Sequence, residues 1–370
     1  MLKNILKLLI LTLSFSVFAQ EYQFQPVIDL EASSVKSQGQ SGTCWSFSTT
    51  SFLESEIYRL NNREIDIAEM YTVRTTYDKK AWNYVMRQGK TQLSEGGLAH
   101  DVLNAVAKEG LVPQSAFTDI FGNNKIYNHS LVVPAIKKIL DNYIKNDIHS
   151  DYPNWQEAID SILDKQIGEK PTSFTFDNQT FTPKSFATYL KIKPDDYISI
   201  TSFTHEKPYS KFVLNIPDNF SNGSFYNVPL DKLVEITINA VKKGYTVALD
   251  VDVSEKGFSA KYGVAILPDN LNDLNKSFTE IVKEKNVTAT YRQQEFENYN
   301  TTDDHLMHIT GIVKDQKGNQ YFKVKNSWGN NSTRVGNNGY IYMSIPYFRL
   351  KTISILLHKD ALDSNLKLIQ

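Results

Sequence analysis

The only cysteine in this chain of 370 residues, Cys44, lies in the stretch SQGQSGTCWSFSTTSF at residues 37–52. The apolar residues that follow it are spaced as on a helix and predict one over 46–63, with Cys44 at its N-terminal end. The dipole and free N–H groups of a helix N-terminus stabilise a thiolate, so we expect a lowered thiol pKa. Such a thiolate can attack a carbonyl carbon if a base lies beside it. The alternative is a small buried apolar residue.

Acyl transfer also requires hydrogen-bond donors aimed at the oxyanion that develops during attack. Gln38 precedes Cys44 across a glycine-containing turn and can fold back toward the Cys44 backbone N–H. The Gln38 side-chain amide and that N–H would together form a two-donor oxyanion hole.

The base must come from the seven histidines of the chain. His305 and His308 lie on one predicted strand at a spacing that places them on opposite faces, so only one can face a given cleft. The next predicted strand ends at Asn326, whose carboxamide can accept a hydrogen bond from an imidazole N–H. Trp328 could cover that contact against water. A Cys–His–Asn site requires this set of nucleophile, base, orienting group and apolar cover.

Helical patterns dominate the first half of the chain, and strand patterns dominate the last third. The predicted helices span 46–63, 98–109, 134–147, 153–165 and 230–243, and the predicted strands span 245–253, 305–313, 320–328 and 337–345. Helices followed by an antiparallel sheet indicate an α+β protein with two segregated lobes.

The first residues have the pattern of a secretory signal. Lys3 and Lys7 form a positively charged region before an apolar run over 8–18, and cleavage is expected after Ala19. An uncleaved anchor is the alternative, but the run is shorter than the ~20 residues of a membrane span. We therefore expect a secreted or periplasmic protein without a later membrane span.

Composition and motifs exclude other classes of function. The formal net charge of −1 argues against a nucleic-acid surface, which carries a basic excess. The sequence contains no H-E-x-x-H motif and no Cys/His cluster at the spacing of metal ligands, so we expect no metal and no cofactor. A homo-oligomer is possible but has no support in the sequence.

Three segments together resemble the papain-like cysteine peptidases: VKSQGQSGTCWSFS (35–48), DHLMHITGIV (304–313) and VKNSWG (324–329). The resemblance implies a papain-like two-lobed fold, with a helical lobe and an antiparallel sheet or barrel. It implies the following site: Cys44 as nucleophile, His305 as base, Asn326 as orienting residue, Gln38 in the oxyanion hole and Trp328 over the Asn–His pair.

SEGGL (94–98) is similar to the family's Gly-Gly segment, which implies that Gly96 and Gly97 bind peptide backbone. Taken alone, these glycines are also typical of a turn.

Departures from papain indicate one branch of the family. Papain has the pattern C-G-[SA]-C-[WY], and Ser41 stands where its first cysteine would be. Little sequence separates Ala19 from Gln38, and a long insertion separates Cys44 from His305. These features resemble the bleomycin hydrolase and aminopeptidase C group. We expect a signal over 1–19 and a peptidase domain over 20–370, with a helical lobe at about 35–165, an insertion at about 170–225 and a β-rich lobe at about 245–358.

The resemblance implies an exported cysteine peptidase that acts on short peptides as an aminopeptidase. A papain-like endopeptidase is the nearest alternative, and a non-catalytic peptide-binding relative is another. A redox-sensing thiol would require a second cysteine, and the sequence contains none.

Overall fold

A computed structural model describes residues 21–117, 126–145 and 154–363. Several parts of the sequence discussed above lie outside these ranges. They are the predicted signal at 1–19, the predicted helix ends at 146–147 and 153, and the last residues, 364–370. The helices are α1 (Cys44–Asn61), α2 (Glu69–Met86), α3 (Ala99–Glu109), α4 (Val132–Lys145), α5 (Trp155–Gln166), α6 (Pro183–Tyr189), α7 (Leu230–Lys242), α8 (Ala289–Glu297) and α9 (Ile345–Lys351). None of these helices combines the length and apolar character needed to cross a membrane.

The strands follow the same chain order. They are β1 (Gln25–Asp29), β2 (Phe174–Phe176), β3 (Gln179–Phe181), β4 (Tyr197–Thr201), β5 (Lys211–Val213), β6 (Ser224–Asn227), β7 (Val247–Val251), β8 (Phe258–Ser259), β9 (Val264–Ala265), β10 (His305–Lys314), β11 (Gln320–Lys325), β12 (Tyr340–Ser344) and β13 (Thr352–His358).

Helix α1 is buried along most of its length. Every residue from Cys44 to Ile57 is buried, and α1 contacts α2, α3 and β10. Small hydroxyl side chains alternate with its aromatic residues, which allows neighbouring elements to approach closely. Asn62 ends the helix in the left-handed conformation, at φ 52°. This burial fixes the position of Cys44, the first residue of the helix.

The second half of the chain forms most of one sheet of 11 strands. The strand order is β5-β6-β4-β13-β7-β10-β11-β12-β9-β8, and β1 is also paired to β10. The sheet is open, because its two end strands, β5 and β8, do not pair with each other. The expected antiparallel sheet or barrel is therefore corrected in two respects. There is no closed barrel among the described residues, and the pairs β4–β6 and β9–β12 are parallel. The predicted α+β class is confirmed.

Alternate residues of the central strands face two different apolar cores. Leu306 joins the core of the helical half, together with Phe52 of α1. Met307, the next residue of β10, joins the core beneath α7 and α9. This alternation follows from the two-residue period of a strand. It places the strand that begins at His305 between the two halves of the protein.

The segment predicted as an insertion, at about 170–225, is continuous with the sheet. Its strand β4 pairs with β13, and β6 and β5 extend the sheet beyond β4. A loop at 214–223 joins β5 to β6 and returns to the helical half of the protein. We call it the 214–223 loop, and it reaches the segment around Gly96.

Candidate active site

Cys44 is the first residue of α1, and its side chain is 8% exposed. The backbone N–H groups of Ser46 and Phe47 donate to the carbonyl of Thr43, which closes the first turn. The backbone N–H of Leu306 lies near enough to the Cys44 thiol to favour its ionised form. The thiol therefore contacts the strand that begins at His305, although the two residues are far apart in the sequence.

His305 and Asn326 form a hydrogen-bonded pair. The antiparallel register of β10 and β11 pairs His308 with Lys325, so the start of β10 lies beside the end of β11. His305 Nε2 lies 2.8 Å from Asn326 Oδ1. The same oxygen accepts the Ser327 backbone N–H at 2.7 Å, which fixes the orientation of the carboxamide. Since Asn326 Oδ1 can only accept, Nε2 carries the hydrogen and Nδ1 is left to take a proton.

Trp328 covers this pair. Its ring centroid lies 4.8 Å from that of His305, with the planes inclined at 36°. Phe258 meets the other side of the indole edge-on, at 5.9 Å. The aromatic cover limits the access of water to the imidazole and to its hydrogen bond with Asn326.

Gln38 is held beside Cys44 by pairing between residues 36–38 and 327–329. Its backbone N–H donates to Ser327 O at 2.9 Å. Its side-chain Oε1 accepts the Ser327 hydroxyl at 2.6 Å, and its Nε2 donates to Ser41 O at 2.7 Å. A carboxamide nitrogen carries two hydrogens. The second hydrogen is therefore the one that could serve an oxyanion.

The Gly96–Gly97 segment lies against the start of α1. Trp45 Nε1 donates to Glu95 O at 2.9 Å, and Gly42 N donates to Glu95 Oε2 at 2.6 Å. A Cβ at Gly97 would lie 3.1 Å from the Trp45 ring, so close contact with the indole favours glycine there. The structure thus brings together all the predicted site residues: Cys44, His305, Asn326, Gln38, Trp328, Gly96 and Gly97.

The acid–base state of the site corrects one expectation from the sequence. Burial raises the pKa of the Cys44 thiol to about 12, and the charges of Asp218, Asp303 and Asp250 add to this increase. The Leu306 N–H opposes the increase. Burial also lowers the pKa of His305, against the opposing effects of Asn326 and Asp304. The expected lowering of the thiol pKa is therefore wrong for the free protein, because burial and the nearby carboxylates raise it.

A neutral thiol predicts a specific pH dependence of alkylation. Cys44 is the only thiol of the chain, so iodoacetamide reports on it alone. Because only the thiolate reacts, we expect the rate to rise roughly tenfold per pH unit between about pH 7 and pH 9. The measurement is the alkylation rate by mass spectrometry across that range. A plateau extending below neutral pH would show a resting thiolate–imidazolium pair and contradict this prediction.

His308 lies on the other face of β10 and belongs to the core. It is 0% exposed, its Nδ1 lies 2.9 Å from Ser51 Oγ, and its ring meets Phe52 edge-on. Lys325 Nζ donates to the same Ser51 hydroxyl at 2.8 Å. This polar layer supports the end of β11 just before Asn326. Ser51 and Lys325 were not identified from the sequence. A lysine next to Asn326 on an otherwise apolar strand could have indicated this polar layer.

A cluster of two buried carboxylates and one exposed carboxylate lies near Asn326. Glu54, Asp66 and Glu69 place carboxylate oxygens within 4.8 Å of one another, a spacing that could hold a metal ion. The Lys36 ammonium contacts all three carboxylates, at 3.3, 2.5 and 2.6 Å. Lysine therefore occupies the position between the carboxylates where a cation would lie.

Lys36→Met is expected to destabilise the fold by about 3 kcal/mol, because Glu54 and Glu69 stay buried without their counter-ion. Burial raises the pKa of Glu69 to about 7 despite Lys36. Protonation of Glu69 in the folded state relieves the lost pairing, so the penalty should be smaller at pH 5 than at pH 8. Urea unfolding at the two pH values measures it, with exposed Lys138→Met as the matched control. Equal stability of both variants would contradict the prediction.

A known family and several known proteins are similar to this chain along most of its length. A family model described as "Peptidase C1-like family" matches residues 14–369. Aminopeptidase C of Listeria innocua serovar 6a is 25% identical, over 92% of this chain and 84% of the relative. Aminopeptidase W of Lactobacillus delbrueckii subsp. lactis is 23% identical, over 90% of this chain and 82% of the relative.

A solved structure shows the same fold. The crystal structure of pepW from Lactobacillus rhamnosis HN001 superposes with a TM-score of 0.72, at 20% identity, over 92% of this chain and 83% of that chain. The fold predicted from the resemblance is thus confirmed, as is the branch of the family. The chain belongs to the Peptidase C1-like family and is a cysteine peptidase with a papain-like fold.

Proposed function

We propose that the protein is an aminopeptidase that hydrolyses short peptides through Cys44, His305 and Asn326. The observation that carries this proposal is the joint placement of the thiol and the His305–Asn326 pair at the start of β10. The names of the similar proteins, aminopeptidase C and aminopeptidase W, support the aminopeptidase part. Peptides are the substrates implied by the family.

In the acylation half of the reaction, the Cys44 proton passes to His305 Nδ1 as the sulfur attacks the carbonyl carbon. The carbonyl oxygen becomes an oxyanion, which the Cys44 backbone N–H and the Gln38 side-chain N–H stabilise. The carbon–nitrogen bond then breaks, and His305 gives its proton to the leaving amine. A thioester between Cys44 and the first residue of the peptide remains.

In the deacylation half, His305 Nδ1 takes a proton from water, and the resulting hydroxide attacks the thioester carbonyl. The carbon–sulfur bond breaks and the proton returns to the sulfur, which restores the neutral pair. Asn326 holds the imidazole so that Nδ1 faces the reacting atoms throughout. Trp328 keeps water from competing for that hydrogen bond.

The test compares aminoacyl fluorogenic amides that have a free amino group with the same compounds acetylated on that group. An aminopeptidase cleaves the free-amino compounds faster. Faster cleavage of the acetylated compounds would instead show an endopeptidase. Hydrolysis of neither set under reducing conditions would favour a non-catalytic peptide-binding protein.

We also propose export, on the basis of the charged and apolar pattern of residues 1–19. Cells expressing the full chain should yield a mature protein that begins at Gln20. N-terminal sequencing of the periplasmic and medium fractions tests this. An intact Met1 terminus on cytoplasmic protein would contradict export.

A further inference from the structure

Three carboxyl groups lie near the Cys44 thiol, and one of them is in contact with the Gly96 segment. The proposed reaction uses none of them. Asp250 lies on β7, Asp303 precedes β10, and Asp218 lies on the 214–223 loop. All three are near enough for their charges to raise the pKa of Cys44. The sequence analysis did not identify them, because they come from three separate segments.

Asp250 and Asp303 lie side by side, and their carboxyl groups are hydrogen-bonded to each other. Asp250 is 2% exposed, and its Oδ2 accepts the Ser354 hydroxyl at 3.2 Å. Asp250 Oδ1 and Asp303 Oδ1 accept no other N–H or hydroxyl group, so one of the two carboxyl groups must carry the proton that they share. Burial raises the pKa of Asp303 to about 7, and burial together with Asp303 holds the pKa of Asp250 well above its ordinary value. Buried acceptors without donors are costly unless a ligand supplies the donors.

Asp218 covers the backbone of Gly96. A Cβ at Gly96 would overlap Asp218 Oδ2, so the carboxylate lies directly against this glycine. Gln92 Nε2 donates to Asp218 Oδ1 at 3.1 Å, and the Asp218 backbone N–H donates to Asp303 Oδ2 at 3.3 Å. The Gly96 carbonyl accepts from Lys80. The backbone expected to bind an extended peptide is thus covered at Gly96.

The 214–223 loop is fixed in this position by hydrogen bonds. Asn219 bonds to Leu214 O at 2.8 Å and to Gly223 O at 2.9 Å. Asn83 of α2 donates to Phe220 O at 3.1 Å, and Ser221 Oγ donates to Asp101 of α3 at 2.6 Å. Asp218 is therefore held as part of a wall that closes this end of the cleft.

No cation of the described residues forms an ion pair with these three carboxylates. The nearby Lys80 ammonium donates instead to the carbonyls of Ser94 and Gly96, and burial lowers its pKa to about 8. The other charged groups around the cluster are acidic: Glu95, Asp101 and Asp304. Among the described residues, acidic groups therefore outnumber cations at the closed end of the cleft.

We propose that Asp218, Asp303 and Asp250 form the binding site for the α-ammonium group of the first residue of the substrate. The inference rests on the proposed aminopeptidase function. The α-nitrogen is two bonds from the carbonyl that Cys44 attacks, so it must lie close to the thiol, where these carboxylates are. An ammonium group supplies three hydrogen-bond donors to the carboxyl oxygens of this cluster. A peptide extended beyond that nitrogen would meet the Asp218 wall.

The same site links recognition to activation of the nucleophile. The negative charges that remain on these carboxyl groups favour the protonated thiol in the free protein. A bound ammonium offsets those charges, so the thiol loses its proton to His305 more easily when a substrate with a free amino terminus is present. An acetylated substrate carries no such charge and gains no such activation.

The test measures kcat/KM for free-amino and acetylated aminoacyl amides in Asp218→Asn and Asp303→Asn, with exposed Asp195→Asn in the same 170–225 segment as the matched control. We expect the ratio of free-amino to acetylated kcat/KM to fall about 100-fold in the first two variants, as for loss of a buried charge partner. The ratio should stay unchanged in Asp195→Asn. Alkylation of Cys44 by iodoacetamide at neutral pH should become faster in Asp218→Asn, because one opposing charge is gone.

Each outcome is decisive. An unchanged ratio in Asp218→Asn and Asp303→Asn, with Cys44 still alkylated and a normal thermal transition, would overturn the inference and leave the aminopeptidase function standing. A wild-type protein that prefers acetylated substrates would overturn the proposed function itself. If Asp218→Asn fails to fold, the ratio in Asp303→Asn decides.

Discussion

Cys44→Ala is expected to lower kcat/KM by a factor on the order of 10⁴ to 10⁶, since single nucleophile deletions in triad peptidases cost this much. The chain has no second cysteine that could substitute for it. Fluorogenic peptide hydrolysis under reducing conditions measures the loss. An epoxide reagent directed at active-site thiols should label the wild-type protein once and leave Cys44→Ala unlabelled.

Ser48→Ala is the matched control for this substitution. Ser48 lies one turn further along α1, and its buried hydroxyl has no hydrogen-bond partner. Its removal should leave both hydrolysis and folding close to wild type. Hydrolysis by Cys44→Ala at more than a few per cent of the wild-type rate would exclude Cys44 as the nucleophile.

His305→Ala should lower kcat/KM by a similarly large factor, on the order of 10⁴ or more, while His308→Ala should keep near wild-type kinetics. His305 is paired with Asn326 and covered by Trp328. His308 faces Ser51 on the opposite side of the strand, so its loss should cost stability, about 1–3 kcal/mol. Steady-state kinetics and urea unfolding of both variants measure the contrast.

The reverse pattern would reassign the base. If His308→Ala abolished hydrolysis in a stably folded protein and His305→Ala did not, the imidazole that serves Cys44 would be His308. Loss in both variants with normal unfolding transitions would contradict the division of the two histidines between cleft and core.

Helices with an apolar stripe could be predicted from the sequence, and α2 could not. The predicted helices at 98–109 and 230–243 correspond to α3 and α7, which bury one face. In α2, the buried positions include threonines and Arg74, which is 1% exposed and bonded to Asp78, Asp160 and Asp164. Polar residues satisfied by distant partners conceal the period of a helix.

Strand β13 was missed for a related reason. Every residue of Thr352–His358 is buried, because β13 lies between β4 and β7 and is covered on both faces. Such a strand has no alternation of apolar and polar residues, and its apolar run continues directly from α9. Periodicity alone does not separate it from the preceding helix.

In the candidate site, too, residues in short sequence motifs could be predicted, and properties that depend on contacts between distant segments could not. Gln38, Cys44, His305, Asn326 and Trp328 lie in short motifs that the sequence displays directly. The thiol pKa and the contact of Asp218 with Gly96 depend on burial and on a loop that comes from a separate segment. Spacing along the chain contains no information about either.

Capture of the acyl-enzyme tests the central claim most directly. The wild-type protein is mixed with an activated leucine ester that has a free amino group, quenched in acid and digested for mass spectrometry. We predict that the peptide containing Cys44 gains the mass of one leucyl residue and that Cys44→Ala gains none. Continued ester hydrolysis with the leucyl group on another residue, or with unmodified Cys44 at every quench time, would contradict a Cys44 aminopeptidase.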